Sequence, residues 1–84
     1  MYKISITNRA EKDLKRLERA IKNRVVKAIL ELKNEPRPSG CRKIQSEEGV
    51  WRIRIGDWRI GYVIDQEDQE IAIIRIAHRR EFYS

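Results

Sequence analysis

Three arginines, Arg52, Arg54 and Arg59, interrupt the otherwise apolar stretch VWRIRIGDWRIGYVI at residues 50–64. A guanidinium is a planar fork of donors that pairs with carboxylate or phosphate oxygens, and it stays charged at any accessible pH. Side chains alternate between the two faces of a strand, so Arg52 and Arg54 share one face. On a sheet such a group meets water or an anion. The chemistry within its reach is the holding of a phosphate, RNA phosphate above all, and the stabilisation of negative charge that gathers on phosphate oxygens during displacement at phosphorus.

The turn between the two apolar runs fixes how these arginines meet. Gly56-Asp57 is a two-residue hairpin turn of a favoured kind. It sets Ile55 opposite Trp58, Arg54 opposite Arg59, Ile53 opposite Ile60, Arg52 opposite Gly61 and Trp51 opposite Tyr62. One face is then Trp51, Tyr62, Ile53, Ile60, Ile55 and Trp58, and it should pack against helices. Trp58 is read as a core aromatic whose truncation costs ~3–5 kcal/mol. The other face carries Arg52, Arg54 and Arg59, with Gly61 leaving a dent beside Arg52. Like charges directly opposite on a sheet destabilise it, so Arg54 across from Arg59 points to a functional site. The alternative is a solvated outer face, with Glu47, Glu48 or Asp57 neutralising it.

The last strand, Ile71 to Ala77, must join with the same facing. Ala72, Ile74 and Ile76 are expected on the helix side, and Ile73, Arg75 and Ala77 on the cationic side. Arg79 continues the latter parity and joins the cluster. Arg75 either belongs to the cluster or is structural, the structural reading being preferred, and His78 faces away from the arginines unless the strand has already ended.

The elements that position this hairpin follow from the pattern before it. Tyr2 to Ile6 alternates and reads as a strand. Asn8 and Glu11 have the spacing of a capping box with Asn8 at the cap. Ala10, Leu14, Leu17, Ile21, Val25, Ala28 and Leu32 then form one helical stripe, ended by Pro36 and Pro38. A single helix over residues 8–34 would be a rod ~40 Å long at ~1.5 Å per residue. A domain of this size is only ~30 Å across. A break near Glu18 to Ala20, giving a helical hairpin, is therefore expected. Cys41 to Gln45 reads as a short strand, and Asp65 to Glu70 as an acidic loop. The order β-α-α-β-β-β, with the short strand as a further β, predicts an α+β fold. A two-helix hairpin packs on one face of a small, mostly antiparallel sheet.

The chain has 84 residues, enough for one small domain over 1–84. Lys and Arg total 19 against 13 Asp and Glu, a net charge of +6 that favours a polyanionic partner. The single Cys41 rules out an internal disulfide, and with one histidine, His78, a zinc site is not expected. No apolar run approaches the ~20 residues of a membrane span, and the first residues lack a signal-peptide stretch. The expected compartment is the cytoplasm, with no membrane partner.

WRIRIGDWRIGYVI followed by IAHRREFY resembles the RelE branch of the RelE/ParE toxin superfamily. NEPRP is similar to an ENPRP motif, and HRREFY to a terminal HRxExY segment. With the opening strand and the paired helices, the resemblance covers nearly the whole chain as a single RelE-like toxin domain. It implies a small α+β fold and a toxin of a type II toxin–antitoxin system that cuts mRNA in the ribosomal A site. The implied partners are the ribosome, mRNA and a RelB-like antitoxin protein, which on this chain's charge should bring an acidic or amphipathic segment. The resemblance carries catalytic roles onto Arg52, Arg54, Arg59, Arg79 and Tyr83. It implies metal-free attack by the substrate's own 2′-OH, needing no cofactor. Arg59 and Arg79 would stabilise the phosphate charge, and Arg52 and Arg54 would lower the 2′-OH pKa. Tyr83 would stack on a base or bond to the ribose. The carboxylate–histidine pair of some relatives has no obvious counterpart beyond His78 and Glu81. The ParE branch shares the fold but targets DNA gyrase without being a nuclease. A ParE-like gyrase inhibitor and a non-catalytic RNA-binding module are the alternatives.

Overall fold

The helical stripe breaks where one rod would have outgrown the domain. In the computed structural model, which describes residues 1–83, α1 runs Asn8–Lys15 and α2 runs Arg19–Glu31. Arg16 closes α1 with its N–H on the Asp13 carbonyl, the Leu17 N–H takes the Leu14 carbonyl, and Glu18 enters α2 in an extended conformation. The break thus falls at residues 16–18, two residues ahead of the expected site. The described residues span 34 × 26 × 26 Å, shorter than the undivided rod.

The cap of α1 also lies one residue earlier than the sequence suggests. Thr7, not Asn8, holds the N-cap, and its hydroxyl accepts the Ala10 N–H at 3.2 Å. The strand before it decides this. Strand β1, Lys3–Ile6, runs beside β5, Glu70–His78, and the Thr7 N–H still bonds the Ile73 carbonyl at 3.0 Å. Thr7 is therefore both the last residue tied to the sheet and the first tied to the helix, while Asn8 is already helical.

The remaining strands are β2 (Arg42–Lys43), β3 (Val50–Ile55) and β4 (Trp58–Asp65). The sheet order is β1-β5-β4-β3-β2, antiparallel throughout except for the parallel β1–β5 pair. Gly56 has φ +60°, as a type II′ turn requires at its first central position. The β3–β4 register is the expected one at all five pairs, and Val50 opposite Val63 extends it.

The helices cover one face of this sheet. Ala10, Val25, Ala28, Ile29 and Leu32 pack there against Ile53, Ile60, Tyr62, Ile71, Ile73 and Ile76. Trp51 and Trp58 lie on this side too, but only half-buried at its margin. Trp58 meets His78 edge-on at 5.5 Å, and Arg37 sits over Trp51. Trp58 is thus not the core aromatic that its sequence context suggests, and its truncation should cost less than full burial implies. Tyr62 is wholly buried and donates its hydroxyl to the Pro36 carbonyl at 2.7 Å, which pins the loop before β2. Burial, followed by the neighbouring Cys41, pushes the Tyr62 pKa up, so this hydroxyl stays a donor.

The facing expected of β5 holds for only half its length. Gly61 pairs with Arg75 but Tyr62 pairs with Ile73, so β5 carries one extra residue, Ile74, at a bulge. From Arg75 onward the parity is as expected. Arg75 and Ala77 lie on the arginine side, Ile76 on the helix side, and His78 opposite Trp58 on the helix side. Before the bulge it inverts. Ile73 enters the helix-side core, whereas Ile74 packs on the arginine side, as does Ala72 opposite Val63. A one-residue slip moves every following side chain to the other face.

Candidate active site on the arginine face

The arginine face is not a bare solvated surface. Ile44, Val50 and Phe82 form a second apolar cluster there, with Val63, Ile74 and Ala77 against it. Phe82 is 2% exposed. The chain reaches it by a turn after β5, closed by the Glu81 and Phe82 N–H groups on the His78 carbonyl. This turn folds residues 79–83 back over the sheet and brings Arg79 and Tyr83 to the strand arginines.

The four arginines and the tyrosine come together as follows. Arg54 lies opposite Arg59 and is exposed. Arg52 donates from Nε to the Tyr83 hydroxyl at 3.0 Å. Its Nη1 is buried and has no hydrogen-bond partner among the described residues. Arg79 is tied at the hairpin tip, its N–H on the Asp57 carbonyl at 2.7 Å and its Nε 3.7 Å from the Asp57 carboxylate. That pair is exposed on both sides and contributes little. Tyr83 itself is 59% exposed.

Arg59 is the centre of the group and the exception in it. Only 9% of it is exposed, yet no carboxylate pairs with it among the described residues. Its Nη1 donates to two carbonyls of its own turn, Gly56 and Trp58, each at 3.1 Å. Burial, then the charges of Arg54 and Arg52, lower its pKa; Tyr83 acts the other way, and Arg79 adds to the lowering. A buried cation among like charges is costly unless an anion arrives. An anion bound beside Arg59 would offset that cost.

His78 takes no part in this cluster. It lies on the helix face, and its Nδ1 accepts the Arg80 N–H at 3.3 Å. Glu81 is exposed in the turn.

The family model for the ParE toxin of type II toxin–antitoxin systems matches residues 4–83. The chain belongs to the RelE/ParE toxin family. The toxin is similar to the toxin RelE of Mycobacterium tuberculosis, 35% identical over 83 residues, which are 98% of this chain and 86% of that protein. It is similar also to toxin RelG of the same organism, 32% identical over 83 residues, covering 98% and 95% of the two chains. Among solved structures it is similar to the toxin–antitoxin complex RelBE2 of M. tuberculosis. The TM-score there is 0.81 at 31% identity, over 93% of this chain and 98% of that one. No helix among the described residues is long and apolar enough to cross a membrane.

Sequence reasoning missed what seats the end of the toxin chain. Arg75 spans the arginine face, with Nη1 donating to Glu47 Oε1 at 3.0 Å and Nη2 on Oε2. Its guanidinium lies 4.4 Å from the centre of the Phe82 ring. The dent that Gly61 makes in the arginine face was visible in the register; that Phe82 fills it was not. The hydrogen bonds from Arg75 hold the Glu47 carboxyl below the usual carboxylate range; burial opposes them, and the charges of Arg75 and Arg9 add to the lowering. A depressed carboxylate adds stability that is present above its unfolded-state value and is lost as pH falls through its folded value. The melting temperatures of the native toxin and Glu47→Gln are therefore expected to differ at neutral pH and to converge in acid, a comparison that calorimetry across pH makes directly.

Proposed function

We propose that this toxin is a ribosome-dependent endoribonuclease that cuts mRNA in the A site. The observation that carries the reading is Arg59, a buried guanidinium with no carboxylate paired to it among the described residues, in the field of Arg52, Arg54 and Arg79. In the reaction the 2′-oxygen of the substrate attacks the adjacent phosphorus in line. The P–O5′ bond breaks, leaving a 2′,3′-cyclic phosphate and a 5′-OH. The 2′-OH loses its proton to a base and the departing 5′-oxygen gains one. Arg59 and Arg79 hold the phosphate oxygens as their charge grows. Arg52 and Arg54 remain cations throughout, so they favour the 2′-alkoxide by their field and take no proton. The Tyr83 hydroxyl, already held by Arg52, faces the ribose or base. The machinery is spare, and the ribosome supplies the rest by fixing the codon; orientation of that kind lowers a barrier by about 7–11 kcal/mol.

An antitoxin partner with an acidic or amphipathic segment belongs to the same reading. It is favoured by the net charge of +6 and by the similarity to RelBE2, a toxin–antitoxin complex. The compartment required is the cytoplasm, where ribosomes and mRNA meet. Mapping new mRNA 5′ ends after adding purified toxin to translating ribosomes tests the activity. Cuts within the A-site codon are expected. Inhibition of gyrase supercoiling with no new 5′ ends would replace this reading by the ParE-like one.

Cys41 has no place in the chemistry. It is half-buried beside Tyr62. Cys41→Ser is expected to leave A-site cleavage unchanged in the same assay.

A further inference from the structure

Tyr83 is exposed and lies beyond the last strand, yet its hydroxyl meets Arg52 Nε at 3.0 Å. Something other than the sheet must hold it there. The ring of Phe82, buried beside it, is placed to do so. It meets Tyr83 edge-on, with centroids 5.0 Å apart and planes at 86°. It is also stacked under Arg75, which Glu47 holds by its carboxylate.

Gly61 marks how closely this anchor is fitted. A Cβ at Gly61 would come within 3.1 Å of Phe82 Cζ and 3.4 Å of Phe82 Cε1. The same Cβ would lie 3.4 Å from Arg75 Cγ, so the ring or the Arg75 stem would have to give by a few tenths of an ångström, while the φ of Gly61 needs no glycine. The residue is small here because of the space the ring takes. Gly61 is also the cross-strand neighbour of Arg52. The ring that fills the dent therefore lies beside the strand position from which Arg52 rises to Tyr83.

We infer that Phe82 is a positioning residue: seated on Gly61 and clamped by Arg75, it sets the Tyr83 hydroxyl on Arg52 and so completes the arginine face. The inference rests on the nuclease reading for its consequence in catalysis, but the placement itself is testable without activity. Phe82 touches no substrate and acts only through Tyr83.

Two measurements on purified full-length toxin decide it. The first is the Arg52 Nε–H resonance in side-chain-detected nuclear magnetic resonance. Tyr83→Phe removes its acceptor and should shift the signal and speed its exchange with water. Phe82→Leu and Gly61→Ala should each move it the same way, although both keep Tyr83. A signal unchanged from the native protein in these two variants would overturn the inference. The second is the rate of A-site cleavage at saturating ribosomes. A displacement near 1 Å costs up to about a hundredfold in rate, so Phe82→Leu should lose roughly tenfold to a hundredfold in kcat with little change in the ribosome concentration for half-maximal rate. In the Tyr83→Phe background the same change should add little, because no hydroxyl is left to place. Losses that multiply instead would mean that Phe82 acts independently of Tyr83, and would overturn the inference. Gly61→Ala combined with Phe82→Leu should lose little beyond Phe82→Leu alone, since the ring that the added methyl presses on is already gone. A native toxin that cuts no mRNA would overturn the nuclease reading, and the resonance measurement would still decide the placement.

Discussion

Arg59→Ala is expected to lower A-site mRNA cleavage by roughly 10²-fold or more, the scale of one lost transition-state donor. The protein should remain folded while this happens. Two opposing effects set its stability. The variant gives up the bonds from Nη1 to the Gly56 and Trp58 carbonyls and some buried stem. It also removes a buried charge from the field of Arg54, Arg52 and Arg79. From the sequence alone, only the second effect is visible, and stability would be expected to hold or rise. With the first included, a modest loss is expected. A hydrogen bond from a charged group contributes about 1.5–3 kcal/mol, and relief of the like charges offsets part of that. Arg59→Lys should not restore cleavage, because an ammonium lacks the planar fork. Arg79→Ala should fall in the same range as Arg59→Ala, with less effect on stability, since its Asp57 pair is exposed. Cleavage assays at a temperature where melts show each variant folded make the comparison. Normal cleavage by Arg59→Ala, or its collapse on melting, would end the assignment of the strand arginines to an RNA phosphate.

Ile60→Ala, the next residue along the strand, should behave in the opposite way. Ile60 is fully buried between the sheet and the helices. Deleting three carbons there costs about 2–5 kcal/mol, a large part of the roughly 5–15 kcal/mol that holds a domain of this kind together. At about 4–8 °C per kcal/mol the midpoint should drop by more than about 8 °C. Activity should disappear with the fold and return on cooling. The pair thus separates two adjacent side chains on opposite faces of one strand, one needed for chemistry and the other for folding. An Ile60→Ala protein that melts like the native toxin would contradict the assignment of that face to the core.

Local rules made the hairpin legible before any coordinates. A two-residue turn permits only one pairing, and its alternation divides arginines from isoleucines. The helical stripe was legible for the same reason, since its spacing has one solution, and the size of the domain argued for the break. What failed were features decided by distant parts of the chain. The bulge at Ile74 is set by how β5 must accommodate both β4 and β1, and no signal within Ile71–Ala77 announces it. The cap moved to Thr7 because β5 holds its N–H. The burial of Arg59 and the seat of Phe82 depend on residues 79–83 folding back across the sheet. The strand arginines were therefore readable as a group, but not the lid of apolar side chains around them.

The parallel pairing of β1 with β5 has a consequence for how the toxin comes into being. Among the described residues β1 pairs in the sheet with β5 alone, the strand farthest from it in sequence, and Asp13 on α1 accepts the Ile76 N–H across 63 residues. Contacts so far apart in the chain form late and slowly. During synthesis, at about 5–20 residues per second, the first strand and both helices emerge with no sheet to pack on. The arginine face is assembled only after β5 and the turn behind it have emerged. The interval before β5 appears therefore leaves one edge of β4 unpaired and the apolar faces of both helices without the strand that completes their core.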